Sequence, residues 1–226
     1  MGVVARKRQG RGLFITLEGP EGSGKSTQLR YLAQTLRQSG YPVVQTREPG
    51  GTVVAEAIRQ TLLLSSSREP ITPEAESLLI LGARSQHVTH LIAPALQRGA
   101  IVLCDRFSDS TFAYQGFARG LDLAWLQRAN AVATNGRSPD LTLLFDLPVA
   151  VGLARRKKAQ GKLNRLDRES QRFHRLVRQG FLKLASQAPR RIKIIDATRS
   201  AQEIRAEVAS LVLGWIARQR PKTGKR

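Results

Sequence analysis

Short apolar runs alternate with longer amphipathic stretches along most of the chain. The runs at residues 13–19 ("LFITLEG"), 100–105 ("AIVLCD") and 141–146 ("LTLLFD") are short and continuously apolar, which is typical of strands buried on both faces. Residues 41–46 ("YPVVQT") and 191–196 ("RIKIID") predict two further strands. Five such strands separated by helical stretches predict an α/β fold, with a parallel sheet covered by helices on both faces.

Helical periodicity fills several of the intervals between these runs. The predicted helices span residues 28–38, 53–64, 74–98 and 200–218. Pro73 suits the start of the third of these helices, and Gly99 suits its end. Ligands of parallel sheets bind where the carboxyl ends of the strands meet, and several of the predicted strands end in an acidic residue or run into glycine.

Residues 19–27 ("GPEGSGKST") match the phosphate-binding loop pattern completely, with a predicted strand before them and a helix after them. Glycines let backbone N–H groups converge on phosphate oxygens, and the helix N-terminus adds a favourable partial charge. The pattern assigns Lys25 to the β- and γ-phosphates of ATP and the Ser26 hydroxyl to Mg²⁺. The predicted ATP-binding residues are Gly19, Pro20, Glu21, Gly22, Ser23, Gly24, Lys25, Ser26 and Thr27.

A second magnesium ligand is predicted at the end of a neighbouring strand. Asp105 ends the run "AIVLCD", where a carboxylate beside the phosphate loop is placed to hold Mg²⁺ through water. The alternative role for Asp105 is that of a helix N-cap. Asp146 ends "LTLLFD" in a similar way, but Pro148 follows it at the start of a helix, so Asp146 is interpreted as a helix cap and structural residue.

The length of 226 residues fits one domain, or one domain with a mobile insert. The net charge of +20 raises the possibility of nucleic-acid binding, but the positive charge is concentrated in residues 1–12, 155–183 and 218–226. Because these segments do not form a continuous face, the distribution argues against nucleic-acid binding as the main function. Residues 1–12 and 218–226 are predicted to be disordered basic tails around a single domain at 13–217.

Cysteine content and hydropathy favour a cytoplasmic protein. The only cysteine, Cys104, excludes an internal disulfide and lies in an apolar run, so we expect a buried, inert thiol in a reducing compartment. No uninterrupted apolar segment approaches the ~20 residues that a membrane span requires. Residues 1–12 also lack the apolar core of a signal peptide.

Arginines at the predicted active edge of the sheet are candidates for phosphate contacts. Phosphoryl transfer requires two substrates held in line and charge neutralised on the transferred group, and the permanently charged, bidentate guanidinium suits this task. Arg47, Arg84 and Arg106 lie in or near the predicted strand-end loops and helices. Taken singly, each has an ordinary surface arginine as its alternative interpretation.

Five segments, in order, resemble the thymidylate (dTMP) kinases: "FITLEGPEGSGKSTQ", "TREPGGT", "ARSQH", "DRFSDSTFAYQGFARG" and "LDRES". With the spacing between them, the resemblance covers roughly residues 12–215. It implies a phosphate-loop nucleoside monophosphate kinase fold, in which helices flank a five-stranded parallel sheet and a small mobile lid lies at about residues 155–170. It also implies a cytoplasmic homodimer that uses ATP and Mg²⁺ to phosphorylate dTMP by direct in-line transfer.

The resemblance implies how the sugar and phosphate of the acceptor are held. Glu21 would bind the deoxyribose 3′-hydroxyl. Arg47, in "TREPGGT", and Arg106, in "DRF", would hold the 5′-phosphate, and Arg106 would also reach toward the transferred group. Tyr114 would lie under the sugar, where a 2′-hydroxyl would clash with it, which would favour deoxyribose.

The same resemblance implies the contacts to the base. Arg84 would hydrogen-bond a thymine carbonyl, with Thr111 and Gln115 near the thymine edge. The family usually has an aromatic residue four positions before this arginine, where the chain has Ile80. The base is therefore expected to rest on an aliphatic surface.

In this family an arginine that supports the transferred group comes either from the phosphate loop or from the lid. The loop position is occupied here by Gly22, so the chain is expected to belong to the subgroup with arginines in the lid. Arg165 is the predicted catalytic residue of the lid. The other predicted catalytic residues, Lys25 and Arg106, lie outside the lid. Further candidates for the lid residue are Arg155 and Arg168, and an arginine-decorated helix surface is the alternative. The lid usually reads Asp-Arg where this chain has Asn164 before Arg165.

The sequence therefore predicts an enzyme that makes dTDP from dTMP and ATP–Mg²⁺ for dTTP synthesis. The alternative enzyme is a kinase for another nucleoside monophosphate or for a deoxynucleoside. Two arginines at the acceptor phosphate, Arg47 and Arg106, favour an acceptor that already carries a phosphate. An alternative of another class is an ATP-dependent switch or nucleic-acid-binding module, for which the basic tails are the only support.

Overall fold

The computed structural model describes residues 12–63, 69–159 and 163–219. Five strands form one parallel sheet in the order β2-β3-β1-β4-β5. The strands are β1 (Leu13–Glu18), β2 (Val43–Arg47), β3 (Ile101–Asp105), β4 (Leu141–Asp146) and β5 (Ile192–Asp196). All five predicted strands are confirmed, with ends that differ from the predicted ones by no more than about two residues, the usual uncertainty of strand and helix ends.

Helices cover both faces of this sheet. They are α1 (Lys25–Gln38), α2 (Val53–Leu63), α3 (Pro73–His87), α4 (Ala93–Gln97), α5 (Ser108–Thr111), α6 (Leu123–Thr134), α7 (Val149–Lys158), α8 (Gln171–Gln187) and α9 (Ala201–Gln219). Two wider π-helical stretches, Val88–Ile92 and Phe112–Ala118, follow α3 and α5, and a short 3₁₀ turn spans Leu166–Arg168. The predicted α/β fold with a five-stranded parallel sheet is thereby confirmed.

The helix predicted over residues 74–98 is one continuous segment with a change of winding in the middle. The backbone N–H of Ala93 bonds the carbonyl of Val88, five residues back, before α4 resumes normal winding. Pro94 gives the physical reason, since its ring would clash with a carbonyl four residues earlier in a regular α-helix. The wider π-helical turn interrupts the regular helical hydrogen-bond pattern just before the proline.

Two apolar layers hold the sheet. On one face, Ile15 and Leu143 pack with α1 and α9, and on the other face Phe14 and Val102 pack with the segment around Val88 and Ile92. Cys104 belongs to the second layer and is completely buried, and burial raises the pKa of its thiol well above the ordinary value. The predicted burial of this thiol is confirmed, and its raised pKa disfavours the reactive thiolate.

Parts of the predicted tails and lid lie outside the described residues, namely 1–11, 160–162 and 220–226. The disorder of the tails and the mobility of the lid stay predictions. Within the described ranges, none of the helices has the length and apolar character needed to cross a membrane.

Candidate active site

The phosphate loop joins β1 to α1 and depends on backbone conformations that favour glycine. Gly19, Gly22 and Gly24 have φ angles of 139°, 70° and 85°. A β-carbon on Gly22 would lie 2.0 Å from the carbonyl oxygen of Gly152 in α7, and one on Gly152 would lie 2.4 Å from the carbonyl oxygen of Glu21. The loop and α7 therefore meet backbone to backbone, and no side chain fits at position 22 in this arrangement.

Lys25 is buried inside this loop, with 6% of its surface exposed. Its Nζ donates to the carbonyl oxygens of Gly19 (3.0 Å) and Pro20 (2.8 Å) and to the hydroxyl of Ser23 (3.0 Å). Burial and the positive charge of Arg106 lower the pKa of the Lys25 ammonium to about 8, although neighbouring carboxylates oppose the shift. All three ammonium protons are thus used within the site, and a phosphate entering the loop would compete for them.

Ser26 and Asp105 meet at the edge of the sheet, where β1 and β3 are neighbours. The Ser26 hydroxyl donates to Asp105 Oδ2 at 2.5 Å, so one hydroxyl and one carboxylate oxygen converge at the start of α1. Both are hard oxygen donors of the kind that Mg²⁺ prefers, and Mg²⁺ usually keeps several waters besides one or two protein ligands. The helix-cap alternative for Asp105 is wrong, because the N-cap of α5 is Phe107.

The prediction that Asp146 caps a helix is also wrong. Pro148 is the N-cap of α7, and it has no side-chain cap bond. The Asp146 carboxylate instead makes a bidentate ion pair with Arg178 of α8, at 2.7 and 2.8 Å. Its structural role is confirmed in this form, since the ion pair ties the end of β4 to α8.

Arg106 follows β3 in a left-handed backbone conformation, with φ of 72°, which is uncommon for a residue with a side chain. Its guanidinium donates to the Gly19 carbonyl (3.0 Å), the Ser110 hydroxyl (3.2 Å) and Glu21 Oε1 (3.0 Å). Such strain persists only where the surroundings fix it, and it is concentrated at functional sites. Arg106 therefore bridges the phosphate loop and the next element of the site.

Glu18, which sequence reasoning missed, fixes the turn at Arg106. Its completely buried carboxylate accepts the backbone N–H of Phe107 at 2.7 Å and the Ser110 hydroxyl at 2.6 Å. Burial and the negative charge of Asp109 raise the pKa of Glu18 to about 8, against the opposing effect of these hydrogen bonds. The one signal in the sequence was an acidic residue at the end of an otherwise apolar strand.

The raised pKa of Glu18 makes stability depend on pH. The unfolded chain releases this proton near the ordinary value of 4.5, whereas the folded protein holds it to about pH 8, so the folded state binds more protons in between. The free energy of unfolding should therefore fall as pH rises through this window, by up to roughly 1.4 kcal/mol per pH unit from this group. Glu18→Gln removes this contribution, and urea unfolding at several pH values should show a shallower decline than in the wild type.

The matched control for this experiment is Glu74→Gln. Glu74 is exposed in the first turn of α3, so its removal should leave the pH dependence as in the wild type. Equal pH slopes in Glu18→Gln and the wild type would contradict the expectation.

Glu21 points away from the loop interior, toward the acceptor side. Besides Arg106, its carboxylate accepts the Tyr114 hydroxyl at 2.6 Å from either oxygen, and His174 Nδ1 lies 3.6 Å away. Burial alone would raise the pKa of Glu21, but Arg106, His174, Lys25 and Tyr114 together lower it to about 2. Glu21 is thus an ionised carboxylate held by a cation and a phenol at the mouth of the acceptor pocket.

His174 is a second residue that sequence reasoning missed. It lies on α8, is almost fully buried, and neither ring nitrogen has a hydrogen-bond partner among the described residues. Its position beside Glu21 follows from the fold alone, since 153 residues of chain separate the two. No local pattern in the sequence indicates it.

A pocket opens beside Glu21, with about 400 Å³ of empty space when the solvent at its open mouth is included. The structure brings all but one of the predicted acceptor residues to its wall: Glu21, Ile80, Arg84, Arg106, Thr111, Tyr114 and Gln115. Arg47 is the exception. Its half-exposed guanidinium pairs with Glu56 of α2, at 2.9 and 3.0 Å.

Arg84 is held rigidly in the pocket wall. It is 2% exposed, its Nε donates to Glu48 at 2.7 Å, and its Nη1 donates to Thr111 at 2.9 Å and Asn130 at 2.8 Å. His87 Nδ1 lies 2.9 Å from the second oxygen of Glu48. The roles of Glu48, His87 and Asn130 were missed, although Glu48 and His87 lie within the segments "TREPGGT" and "ARSQH".

Arg59 is a further arginine that sequence reasoning missed. It lies on α2 and donates to the Pro49 carbonyl at 2.9 Å. Burial lowers the pKa of its guanidinium, and the positive charges of Arg47 and Arg106 add to the effect. Arg59 thus adds a third positive charge to Arg47 and Arg106 where β2, α2 and the turn after β3 meet.

The three predicted lid arginines lie in separate places. Arg155 donates to the carbonyl oxygens of Ala197 (2.6 Å) and Thr198 (3.2 Å), and the side chain of Arg168 is exposed. Arg165 donates to the Leu62 carbonyl at 3.2 Å and forms an ion pair with Glu76. None of the described contacts of these arginines reaches the phosphate loop.

Asn164 orders the 3₁₀ turn that follows it. Its Oδ1 accepts the backbone N–H groups of Leu166 at 2.8 Å and Asp167 at 3.1 Å. Asp167 in turn pairs with Arg156 at 3.0 and 2.8 Å. Asn164, which stands where the family usually has aspartate, therefore caps this turn with its side chain.

Comparisons with known proteins agree with this geometry. A family model described as thymidylate kinase matches residues 17–208. The chain is 50% identical over 209 residues to a thymidylate kinase of Pseudomonas putida (strain GB-1), covering 92% of this chain and 99% of that protein. It is 49% identical over 207 residues to that of Thermomicrobium roseum, covering 92% and 97%.

A solved structure gives the same result. The crystal structure of thymidylate kinase from Ehrlichia chaffeensis matches with a TM-score of 0.73 and 31% identity, covering 90% of this chain and 99% of that one. The family model and the relatives span nearly the whole chain, including the phosphate loop and the acceptor pocket. The chain belongs to the thymidylate kinase family.

Proposed function

We propose that this protein transfers the γ-phosphoryl group of ATP–Mg²⁺ to dTMP and releases dTDP and ADP. The observation that carries the proposal is the acceptor pocket beside the phosphate loop, with Arg106 bridging the two. An oxygen of the acceptor's 5′-phosphate attacks the γ-phosphorus of ATP in line with the bond to ADP, which breaks as the new P–O bond forms. No covalent enzyme intermediate is required.

On the donor side, the loop amides and Lys25 hold the β- and γ-phosphates. Ser26 and Asp105 would hold Mg²⁺ through a hydroxyl and a carboxylate oxygen, and the ion would offset negative charge on the phosphates. Arg106 reaches toward the transferred group from the acceptor side. Its contacts with the Gly19 carbonyl and Glu21 support this role, because they hold the guanidinium between loop and pocket.

On the acceptor side, Arg84 Nη2 takes part in none of the hydrogen bonds that fix the rest of its guanidinium, so this N–H group is the donor for a thymine carbonyl. Gln115 and Thr111 line the same pocket, Thr111 in direct contact with Arg84, and Ile80 offers an aliphatic surface to the base. A base without a matching acceptor would leave the buried Arg84 donor unpaired, which is costly.

The sugar and phosphate would meet the other end. Glu21 accepts the 3′-hydroxyl, and Tyr114 excludes a 2′-hydroxyl. Arg47 would turn from Glu56 to the 5′-phosphate. Because the ion pair between Arg47 and Glu56 is half-exposed, it is weak and a dianionic phosphate can compete with it.

The proposal is tested by an ADP-release assay with dTMP, dUMP, dCMP, UMP and thymidine as acceptors. Turnover that is strong only with dTMP supports it. Turnover with thymidine but not with dTMP would overturn it in favour of a deoxynucleoside kinase. For the nucleic-acid alternative, the contrary result is tight DNA or RNA binding that survives deletion of both basic tails, with no nucleotide turnover.

Replacing Asp105 with asparagine should raise the Mg²⁺ concentration needed for half-maximal activity by roughly tenfold or more, the size of change seen when a metal site loses a supporting group. The reason is the loss of a negative oxygen ligand beside Ser26. The measurement is a magnesium titration of activity at fixed ATP. Asp146→Asn is the matched control, because Asp146 also ends a strand but pairs with Arg178.

An unchanged magnesium requirement in Asp105→Asn would remove Asp105 from the metal site. An equal change in Asp146→Asn would point to a general effect of lost strand-end charge.

A homodimer and a cytoplasmic location complete the proposal. Leu78 on α3 and Val132 on α6 are large apolar side chains with 58% and 82% of their surface exposed, and α3 and α6 pack against each other. Large apolar side chains exposed on two neighbouring helices suit a subunit interface. Sedimentation analysis of the purified protein distinguishes a dimer from a monomer.

A further inference from the structure

Glu76 is a buried carboxylate that joins two parts of the site. It lies on α3, is 1% exposed, and accepts Gln115 Nε2 at 2.6 Å and Arg119 Nη2 at 3.3 Å. It also forms an ion pair with Nη2 of Arg165. Burial opposes the charge of Glu76, but Arg119, Gln115 and Arg165 together lower its pKa, so the carboxylate stays ionised.

The partners of Glu76 belong to different functional elements. Gln115 lines the acceptor pocket. Arg165 belongs to residues 163–170, called here the lid segment, whose Leu166 lines the same pocket. Arg119 adds a second tie, since its Nη2 also donates to Glu169 of the lid segment at 2.6 Å. One carboxylate thus holds a pocket side chain, Gln115, and anchors the segment whose Leu166 lines that pocket.

Docking of the lid segment gives the buried Glu76 a second guanidinium partner, Arg165, and gives Arg119 a second carboxylate partner, Glu169. Two carboxylates, Glu76 and Glu169, face two guanidiniums, Arg119 and Arg165. Arg165 is further fixed by the Leu62 carbonyl at the end of α2. If the segment moved away, the buried Glu76 would keep only Arg119 and Gln115, and a buried charge that loses a partner is costly.

Resting on the proposed function, we propose that Glu76 is a positioning residue that couples occupation of the acceptor pocket to docking of the lid segment. An acceptor base that contacts Gln115 and Leu166 favours the arrangement in which Glu76 holds Arg165. By reciprocity, docking of the lid segment strengthens acceptor binding to the same degree. Occupation of the acceptor pocket thereby shifts the lid segment toward its docked position.

The variant that tests this coupling is Glu76→Gln, which is nearly isosteric. Glutamine keeps an oxygen that can accept the Gln115 amide but removes the charge that holds Arg165 and Arg119. Glu74→Gln makes the same chemical change on the exposed face of the same helix. Thermal unfolding of both variants establishes that they are folded, and Arg165→Gln breaks the same ion pair from the half-buried lid side without altering α3.

The readout is trypsin cleavage between residues 155 and 168, where Lys157 and Lys158 are exposed, followed by mass spectrometry with and without dTMP. In the wild type and in Glu74→Gln, saturating dTMP should slow this cleavage by roughly fivefold or more, the lower end of coupling between sites. In Glu76→Gln and Arg165→Gln, dTMP should give little protection although it still binds. Full protection in both of these variants would overturn the inference.

Kinetics give a second, independent test. If Glu76 acts through Arg165, the double variant Glu76→Gln/Arg165→Gln should have a kcat close to that of the worse single variant, because the two changes break one interaction. Multiplicative losses would show that the two residues act separately and would overturn the inference. Failure of the wild type to phosphorylate dTMP would instead overturn the proposed function, whereas the protection measurement needs only acceptor binding.

Discussion

Replacing Arg106 with alanine is expected to lower kcat for phosphoryl transfer to dTMP by roughly 10²- to 10³-fold, the range measured when one charge-stabilising group is removed from an active site. The side chain is fixed by the Gly19 carbonyl, Ser110 and Glu21 before any substrate arrives. A guanidinium held in this way needs no reorganisation when charge develops on the transferred group. The measurement is steady-state kinetics at saturating ATP and dTMP.

Arg106→Lys should recover only part of the loss. Arg106 donates with two nitrogens in different directions, Nη1 to the loop carbonyl and Nη2 to Glu21. An ammonium keeps the charge but presents it at one point, so it cannot replace the planar fork. A lysine variant as active as the wild type would mean that charge alone is required.

The control for both substitutions is Arg178→Ala. Arg178 also pairs with a carboxylate, but its partner Asp146 lies outside the acceptor pocket, so kcat should stay near the wild-type value. Removing Arg106 leaves Glu21 with one fewer positive neighbour, and thermal unfolding of the same samples separates lost stability from lost catalysis. An unchanged kcat in Arg106→Ala would exclude the catalytic role.

The sheet was predictable because its strands bury both faces. Continuous runs such as 100–105 and 141–146 have few alternative structures, and the strands that they form differ by at most one residue from the predicted bounds. The ladder pairs Ile15 with Leu103 on one side and Leu141 on the other. Because these strands are buried on both faces, almost every position in them is apolar. The sequence therefore shows each strand as a continuous apolar run, which strand propensity alone would not produce.

The segment between β3 and β4 was less predictable, because residues of the candidate site interrupt its helical periodicity. Residues 105–120 carry Arg106, Tyr114 and Gln115, and the chain changes there from α5 to a π-helical stretch. A wider turn shifts every later side chain around the helix axis, so a 3.6-residue pattern no longer fits. α6 begins only after Asp122 caps its first turn.

The many basic residues around α8 made this helix hard to predict for a different reason. Residues 155–183 are interpreted from the sequence as a basic segment, yet Phe173, Val177, Phe181 and Ala185 recur at four-residue spacing and form one buried face. The basic residues occupy the other positions. The apolar positions, rather than the net charge, were the informative signal.

Local sequence patterns do not indicate the residues that support the site. Glu18 and Phe107 are 89 residues apart, and Arg84 and Asn130 are 46 residues apart. The resemblance indicated side chains of the pocket wall but not what orients them, since such contacts exist only after the sheet brings the segments together. Gly22 is an instructive case: the sequence shows that no arginine stands there, and the contact with Gly152 gives the steric reason.

Replacing Lys25 with methionine is expected to lower kcat/KM for ATP by roughly 10²- to 10³-fold, since the lysine is a clamp on the transferred phosphoryl group. Methionine keeps much of the apolar stem but removes the charge and all three donors. Lys183→Met is the matched control, because Lys183 is exposed on α8. Arg at position 25 should not rescue activity, as a planar guanidinium cannot direct three bonds from one nitrogen to Gly19, Pro20 and Ser23.

The pH dependence of the wild type tests the same residue without a substitution. Burial and Arg106 lower the pKa of Lys25 to about 8, so the free enzyme loses this proton as pH rises past that value. Only the ammonium form attracts the phosphates, and kcat/KM reports the ionisation of the free enzyme. We therefore expect kcat/KM for ATP to fall above about pH 8, while kcat stays level to a higher pH because bound phosphate favours the charged lysine. A kcat/KM for ATP that stays level through pH 10, with Lys25→Met as inactive as expected, would show that Lys25 stays protonated in the empty loop, held there by Asp105, Glu21 and Glu18.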